Sequence, residues 1–146
     1  MKSLAPITLS LLFSLSTAYS QTSSYEIIKL LAEQGDVDSQ YNLGQMYAYG
    51  EGVPEDDTEA VKWFRLAAEQ GYARAQFNLG GMYAKGEGVP ENYLAAYVWF
   101  SVAATQGHEV AKTYRDRIAG ILTPGQRAKG QELATRCFES GYKDCD

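Results

Sequence analysis

The stretch N-L-G-Q-M-Y-A-Y-G-E-G-V-P-E, residues 42–55, returns as N-L-G-G-M-Y-A-K-G-E-G-V-P-E at residues 78–91. The step is 36 residues. Extending the comparison without gaps, Gln40 to Ala75 aligns on Gln76 to Ala111 with 21 identities. Trp63-Phe64 becomes Trp99-Phe100, and Gly35, Gly71 and Gly107 keep the same step. Self-similarity at a period of 20 to 50 residues is the mark of a solenoid or array, so it governs every local reading that follows.

Each unit reads as two helices. In the second helix of the first unit the apolar positions are Ala60, Trp63, Phe64, Ala67 and Ala68, the i, i+3, i+4, i+7, i+8 stripe of an α-helix. Ala96, Trp99, Phe100, Ala103 and Ala104 repeat it. Asp56 stands at an N-cap with Glu59 as its expected capping-box partner, and Asn92 stands at the equivalent cap. In the first helix, Leu43 and Tyr47, then Leu79 and Tyr83, lie one turn apart. Gly44 and Gly80 fall mid-helix. Glycine there costs about 1 kcal/mol relative to alanine, so its recurrence predicts a close helix approach. The Gly-Glu-Gly-Val-Pro linker stops one helix and starts the next.

The ends differ from the middle. Tyr25 to Gln34 reads as a lone capping helix. Glu109 to Leu122 keeps apolar spacing through Tyr114, Ile118 and Ile121. Thr123-Pro124-Gly125-Gln126 carries an N-cap, a first-turn proline and a capping-box glutamine. The last helix then places Gly130, Leu133, Ala134, Cys137 and Phe138 on one stripe. The expected count is seven helices, a cap and three pairs. The divisions fall at 21–35 for the cap, 36–71 and 72–107 for two full units, and 108–146 for a degenerate third unit and C-terminal cap.

Before Glu26 the only charge is Lys2, and an apolar run from about Leu4 to Leu15 ends at Ala18-Tyr19-Ser20. Residues 1–20 read as a secretory signal peptide with cleavage before Gln21. The run is shorter than the roughly 20 residues that span a bilayer. With 13 basic and 18 acidic residues the formal charge is −5. That charge, without a Lys/Arg cluster, argues against nucleic-acid binding. Cys137 and Cys145 form an even pair in a chain read as exported, which predicts one disulfide.

The pattern L-G-x2-Y followed by A-x3-F, seen at Leu43-Gly44 to Tyr47 and Ala60 to Phe64, resembles the tetratricopeptide repeat. The 36-residue period, the G-E-G-V-P linker and the W-F-x2-A-A-x-Q-G closure resemble the Sel-1-like repeat (SLR) family more closely. The third unit departs from it, with Arg115-Asp116 in place of Leu-Gly. The resemblance implies an all-α, right-handed α/α superhelix used as an adaptor, often periplasmic or secreted. Its partner would be a protein or peptide, with no cofactor, no membrane span after cleavage and no catalysis.

Four places in the chain carry residue types that could support chemistry. Ser140-x-x-Lys143 has the spacing of a serine acylase motif, but it lies between the cysteines with no companion motif. His108 stands in a helix junction and reads as a solvated loop histidine. Glu55-Asp56-Asp57 with Glu59 is better read as helix capping than as a calcium loop. The two cysteines and one histidine match no usual zinc spacing. A small periplasmic hydrolase or β-lactam-binding protein therefore stands as an alternative without a nucleophile–base pair. A secreted factor engaging a host protein is a third reading.

At 100° per residue, the first helices leave one face uncommitted to their own core. In tetratricopeptide-like folds that face lines the concave groove. The expected groove residues are Tyr41, Asn42, Gln45, Tyr49, Phe77, Asn78, Lys85 and Arg117. For Tyr41 and Phe77 the competing reading is packing between successive units.

Overall fold

The computed structural model describes residues 23–146, which form seven helices and no strand. The signal-peptide reading lies outside the described residues. The helices are α1 (Ser24–Glu33), α2 (Val37–Tyr49), α3 (Asp57–Ala68), α4 (Ala73–Lys85), α5 (Tyr93–Thr105), α6 (Glu109–Ile121) and α7 (Pro124–Glu139). Helices α2 and α3 make one pair and α4 and α5 the next, each helix packing on its chain neighbours. The result is an α/α solenoid.

Caps start the helices as their side chains dictate. Asp56 Oδ1 accepts the Glu59 amide at 3.0 Å, and Asn92 Oδ1 accepts the Ala95 amide at 3.0 Å. The reciprocal half of the expected box at Asp56 does not form, because the Glu59 carboxylate turns to Lys62 Nζ at 3.3 Å. Thr123 and Gln126 do complete a capping box. Gly50 and Gly86 end α2 and α4 at φ +65° and +70°, a left-handed conformation that suits glycine.

The mid-helix glycines have the predicted steric cause. A Cβ on Gly44 would stand 2.7 Å from the Phe64 ring, and one on Gly80 would stand 2.9 Å from the Phe100 ring. Both rings are buried, with Leu43, Leu79 and Trp99 beside them in the core. A second recurring device joins successive units. Gln40 Nε2 donates to Ala32 O and Gln76 Nε2 to Ala68 O, both at 3.1 Å. Gln70 Nε2 donates to Gln40 Oε1 and Gln106 Nε2 to Gln76 Oε1, both at 2.7 Å. Each buried amide thereby donates to the preceding unit and accepts from the far end of its own, which ties one unit to the next.

The third pair does not close as expected. Helix α7 packs on α5, not on α6. The reason is local sequence. Where α2 and α4 offer Leu-Gly to a partner helix, α6 offers Arg115-Asp116, whose side chains pair with each other at 2.8 Å. No helix can bury itself on that pair without stripping its water. Helix α5 is the complement: Tyr93 to Thr105 contains no charged residue. A helix apolar all round needs cover on every side, and α7 supplies it. Gly130 approaches so closely that a Cβ would lie 2.6 Å from the Tyr97 ring, while Leu133 and Cys137 join Val98, Trp99 and Val102. Phe138, expected on the buried stripe, is instead 47% exposed and meets Tyr142 edge-on.

The tail then doubles back. Gly141 and Tyr142 both adopt φ +66°. Cys137 and Cys145 lie at disulfide distance, with Cα atoms 4.3 Å apart. The Tyr142 ring would be 2.9 Å from a Cβ on Gly71, and Asp146 pairs with Arg65 at 3.3 Å. The tail therefore ties α7 to the end of α3.

Candidate interaction face

The first helices α2, α4 and α6 share a face on which their own cores make no claim. A hollow of about 280 Å³ opens there, reached by Tyr49 and Ala48 from α2, Asn78, Gly81, Met82 and Lys85 from α4, and Tyr114 from α6. Phe64, Phe77 and Phe100 form its inner wall, and Asp57 and Glu87 its rim.

Of the eight residues expected on this face, Tyr49, Phe77, Asn78 and Lys85 meet in the hollow. Tyr49 is 66% exposed, a large ring left in water. Lys85 faces Glu87 at 3.6 Å. Tyr41, Asn42, Gln45 and Arg117 lie outside the hollow's lining. Asn42 and Arg117 are exposed and Gln45 is half-buried. The Arg117 guanidinium sits over the Tyr114 ring, 5.3 Å from its centroid. Tyr41 is half-buried, its ring 5.8 Å from Phe64 and 5.0 Å from Tyr72. Phe77 is half-buried against Phe100, His108 and Tyr114. For both aromatics the competing reading holds: they pack between units, and Phe77 also walls the hollow.

The angular reading of the first helices also puts Gly81 and Tyr114 on this face, beside the eight residues singled out, and both line the hollow. Gln45, Gly81 and Arg117 occupy one register position in the three units, so Gly81 is where the face loses a side chain. A Cβ there would meet nothing within 4 Å, in contrast to its neighbour Gly80.

The candidate catalytic groups are engaged in structure. His108 is not a solvated loop residue. Its Nδ1 accepts the Ala111 amide at 3.1 Å, capping α6, and its ring stacks on Phe77 at 4.9 Å. Ser140 Oγ donates to Cys137 O and accepts the Lys143 and Asp144 amides, which makes it the cap of the returning tail. Among the described residues no three His, Cys, Asp or Glu side chains cluster as metal ligands.

The titration shifts belong to packing. The Tyr25 hydroxyl, 3.0 Å from that of Tyr47, pushes Tyr47 up to about 12, with burial adding to it. Burial and then the Asp38 carboxylate raise Tyr72. Hydrogen bonds from Ser39 hold Asp36 below the ordinary carboxylate range.

Paired helices in register, with a free face on the first helix of each pair, define a tetratricopeptide-like α/α repeat protein. Residues 37–72 and 73–108 each match the Sel1 repeat, and the chain is a Sel1-repeat protein. It is similar in structure to a protective antigen present in uropathogenic Escherichia coli strains that displays an SLR fold. The TM-score is 0.76 at 28% identity, over 88% of this chain and 30% of that one. It is also similar to a Sel1 repeat protein from Oxalobacter formigenes. There the TM-score is 0.61 at 37% identity, over 62% of this chain and 37% of that one. The chain thus spans about a third of the length of each. No curated protein matches it. Sel1-repeat proteins are generally protein-interaction modules. Among the described residues no helix is long and apolar enough to cross a membrane.

Proposed function

We propose that the protein is an exported, non-catalytic interaction module that holds a segment of another protein along the concave face of α2, α4 and α6. The observation that carries this reading is the hollow on that face, where Tyr49, Phe77, Asn78 and Tyr114 from the alternate helices α2, α4 and α6 converge. Exposed apolar side chains continue the surface along α6: Val110 is 52% and Ile121 57% exposed. Exposed rings and apolar side chains beside the amides Asn42, Gln45 and Asn78 suit protein recognition. Rings supply area at low entropy cost, and amides satisfy a partner's backbone. Export is supported by the leader-like residues 1–20 and by the cysteine pair at disulfide distance, which calls for an oxidising compartment.

Site-specific photocrosslinking in native cells tests the assignment. A photoreactive residue at Gln45, on the proposed face, should capture one recurrent protein. The same residue at Leu66, exposed on α3, should not. Capture of that protein from Leu66 and not from Gln45 would put the interface on the wrong side of the solenoid.

A further inference from the structure

We infer that the hollow over Gly81 is an anchor pocket for one large apolar side chain, aromatic or leucine-like, carried by an acidic segment of the partner. The inference rests on the groove reading above and makes it specific.

The first argument is the glycine. Helix α4 contains two adjacent glycines, each unfavourable in a helix interior. Gly80 is accounted for by the Phe100 ring at 2.9 Å. Gly81 has no such neighbour: a side chain there would enter open space. The space it would enter is the hollow that Gly81 helps to line. At the same register the first unit carries Gln45 and the third Arg117, so the fold accepts long side chains at this position. The second unit is the one whose floor is bare. A hollow of about 280 Å³ lies just below the usual range for small-molecule pockets, roughly 300–1,000 Å³. It is scaled to a side chain.

The second argument is charge. A buried ion needs a dedicated partner, and the charges at the hollow are already answered. Lys85 faces Glu87 at 3.6 Å. Asp57 lies in the first turn of α3, where the helix N-terminus favours a carboxylate. The anchor is therefore uncharged. Beyond the hollow, Asp38 faces the Tyr72 hydroxyl. That leaves Arg74, at the start of α4, and Arg117, on α6, as cations of this face with no carboxylate within ion-pair distance among the described residues. Helix α4 has no acidic residue at all. The acid excess of the chain lies in the linkers between helices, which carry Asp36, Glu51, Glu55, Asp56, Glu69, Glu87 and Glu91 and no Lys or Arg. An approaching segment thus meets Arg74, one helical turn from the lining residues Phe77 and Asn78, and Arg117, seated over the lining residue Tyr114, and acidic flanks around an apolar anchor complement these two cations.

The test uses the full mature chain, isotope-labelled, and three synthetic peptides followed by amide shifts in NMR. One peptide has a central phenylalanine with Asp/Glu flanks. The second replaces that phenylalanine with alanine. The third keeps it with lysine flanks. The first should shift the Gly81 amide and its neighbours in the hollow, and should bind roughly tenfold to a hundredfold tighter than the alanine peptide, the range expected for burying one phenylalanine. It should also bind tighter than the lysine peptide. Gly81→Gln, which copies the first unit, should abolish those shifts while the melting temperature stays level or rises. Three results overturn the inference: equal binding of the alanine peptide, tighter binding of the lysine peptide, or unchanged binding to Gly81→Gln. If shifts gather around Asn42 and Gln45 but spare Gly81, the anchor fails and the groove stands. If no residue of α2, α4 or α6 responds, both fail.

Discussion

Replacing Gly80 and Gly81 in turn by alanine isolates one physical term. The two residues are adjacent in α4, and neither has a positive φ. Each substitution gains about the same helix propensity, up to roughly 1 kcal/mol. The difference between the variants therefore reads the steric term alone. At Gly80 the new methyl would stand 2.9 Å from two carbons of the Phe100 ring, which is fully buried against its neighbours. A ring so enclosed cannot retreat without moving the core, and overpacking of this kind costs about 1–3 kcal/mol. Gly80→Ala should thus be level with or below the wild type, and Gly81→Ala above it, with a gap of about 1–3 kcal/mol. For a chain of this size that is roughly 3–5 °C of melting temperature per kcal/mol. Thermal unfolding of the oxidised protein followed by circular dichroism measures it. Equal melting temperatures for the two variants would refute the close-approach account of the recurring Leu-Gly, and so would a Gly80→Ala variant more stable than Gly81→Ala.

Four further outcomes follow from the same structure. His108→Ala should destabilise by about 1 kcal/mol through loss of the α6 cap, and His108→Asn should restore most of it, as urea midpoints will show. Because Ser39 lowers Asp36 in the folded state, its contribution is present above the unfolded value near 3.8 and is lost as pH falls through the folded one. Asp36→Asn should flatten that part of the acid profile. Because the Tyr25 hydroxyl and burial raise Tyr47 to about 12, the sign reverses. That contribution is present below about 10 and vanishes as pH rises towards 12, so Tyr25→Phe should unfold with a shallower alkaline dependence, read by tyrosinate absorbance. Reduction of Cys137–Cys145 should cost about 2.5 kcal/mol by loop-closure entropy and free the tail from Gly71. Two reactive thiols in the untreated, denatured protein would exclude the bridge.

Much of the fold was legible because the repeat writes the same constraint twice. The recurrence of Gly44 and Gly80 mid-helix calls for a close helix approach, but the spacing does not say that the rings they meet are Phe64 and Phe100. The crossing of α7 was harder to read, since it depends on two sequence features far apart: the charge-free run from Tyr93 to Thr105, which demands cover, and Arg115-Asp116, which refuses a partner. Apolar spacing in α7 shows that it docks but not on which helix. The face was half legible. Angular position separated Tyr49, Asn78 and Lys85 from the core. It could not tell that Tyr41 would turn against Tyr72, because that contact is made with the next unit and not with its own helix pair. His108 was misread for a similar reason: its cap and its stack on Phe77 both arise at a junction, where helical periodicity carries no information.

The central claim is that the face of α2, α4 and α6 is the binding surface. Once a partner has been recovered from native cells, its affinity for the Asn42→Ala/Asn78→Ala double variant tests that claim most directly, beside Leu66→Ser on the opposite layer. The account predicts at least a tenfold loss for the double variant with its melting temperature barely moved, and no loss for Leu66→Ser. Full affinity in the double variant with loss in Leu66→Ser would contradict it.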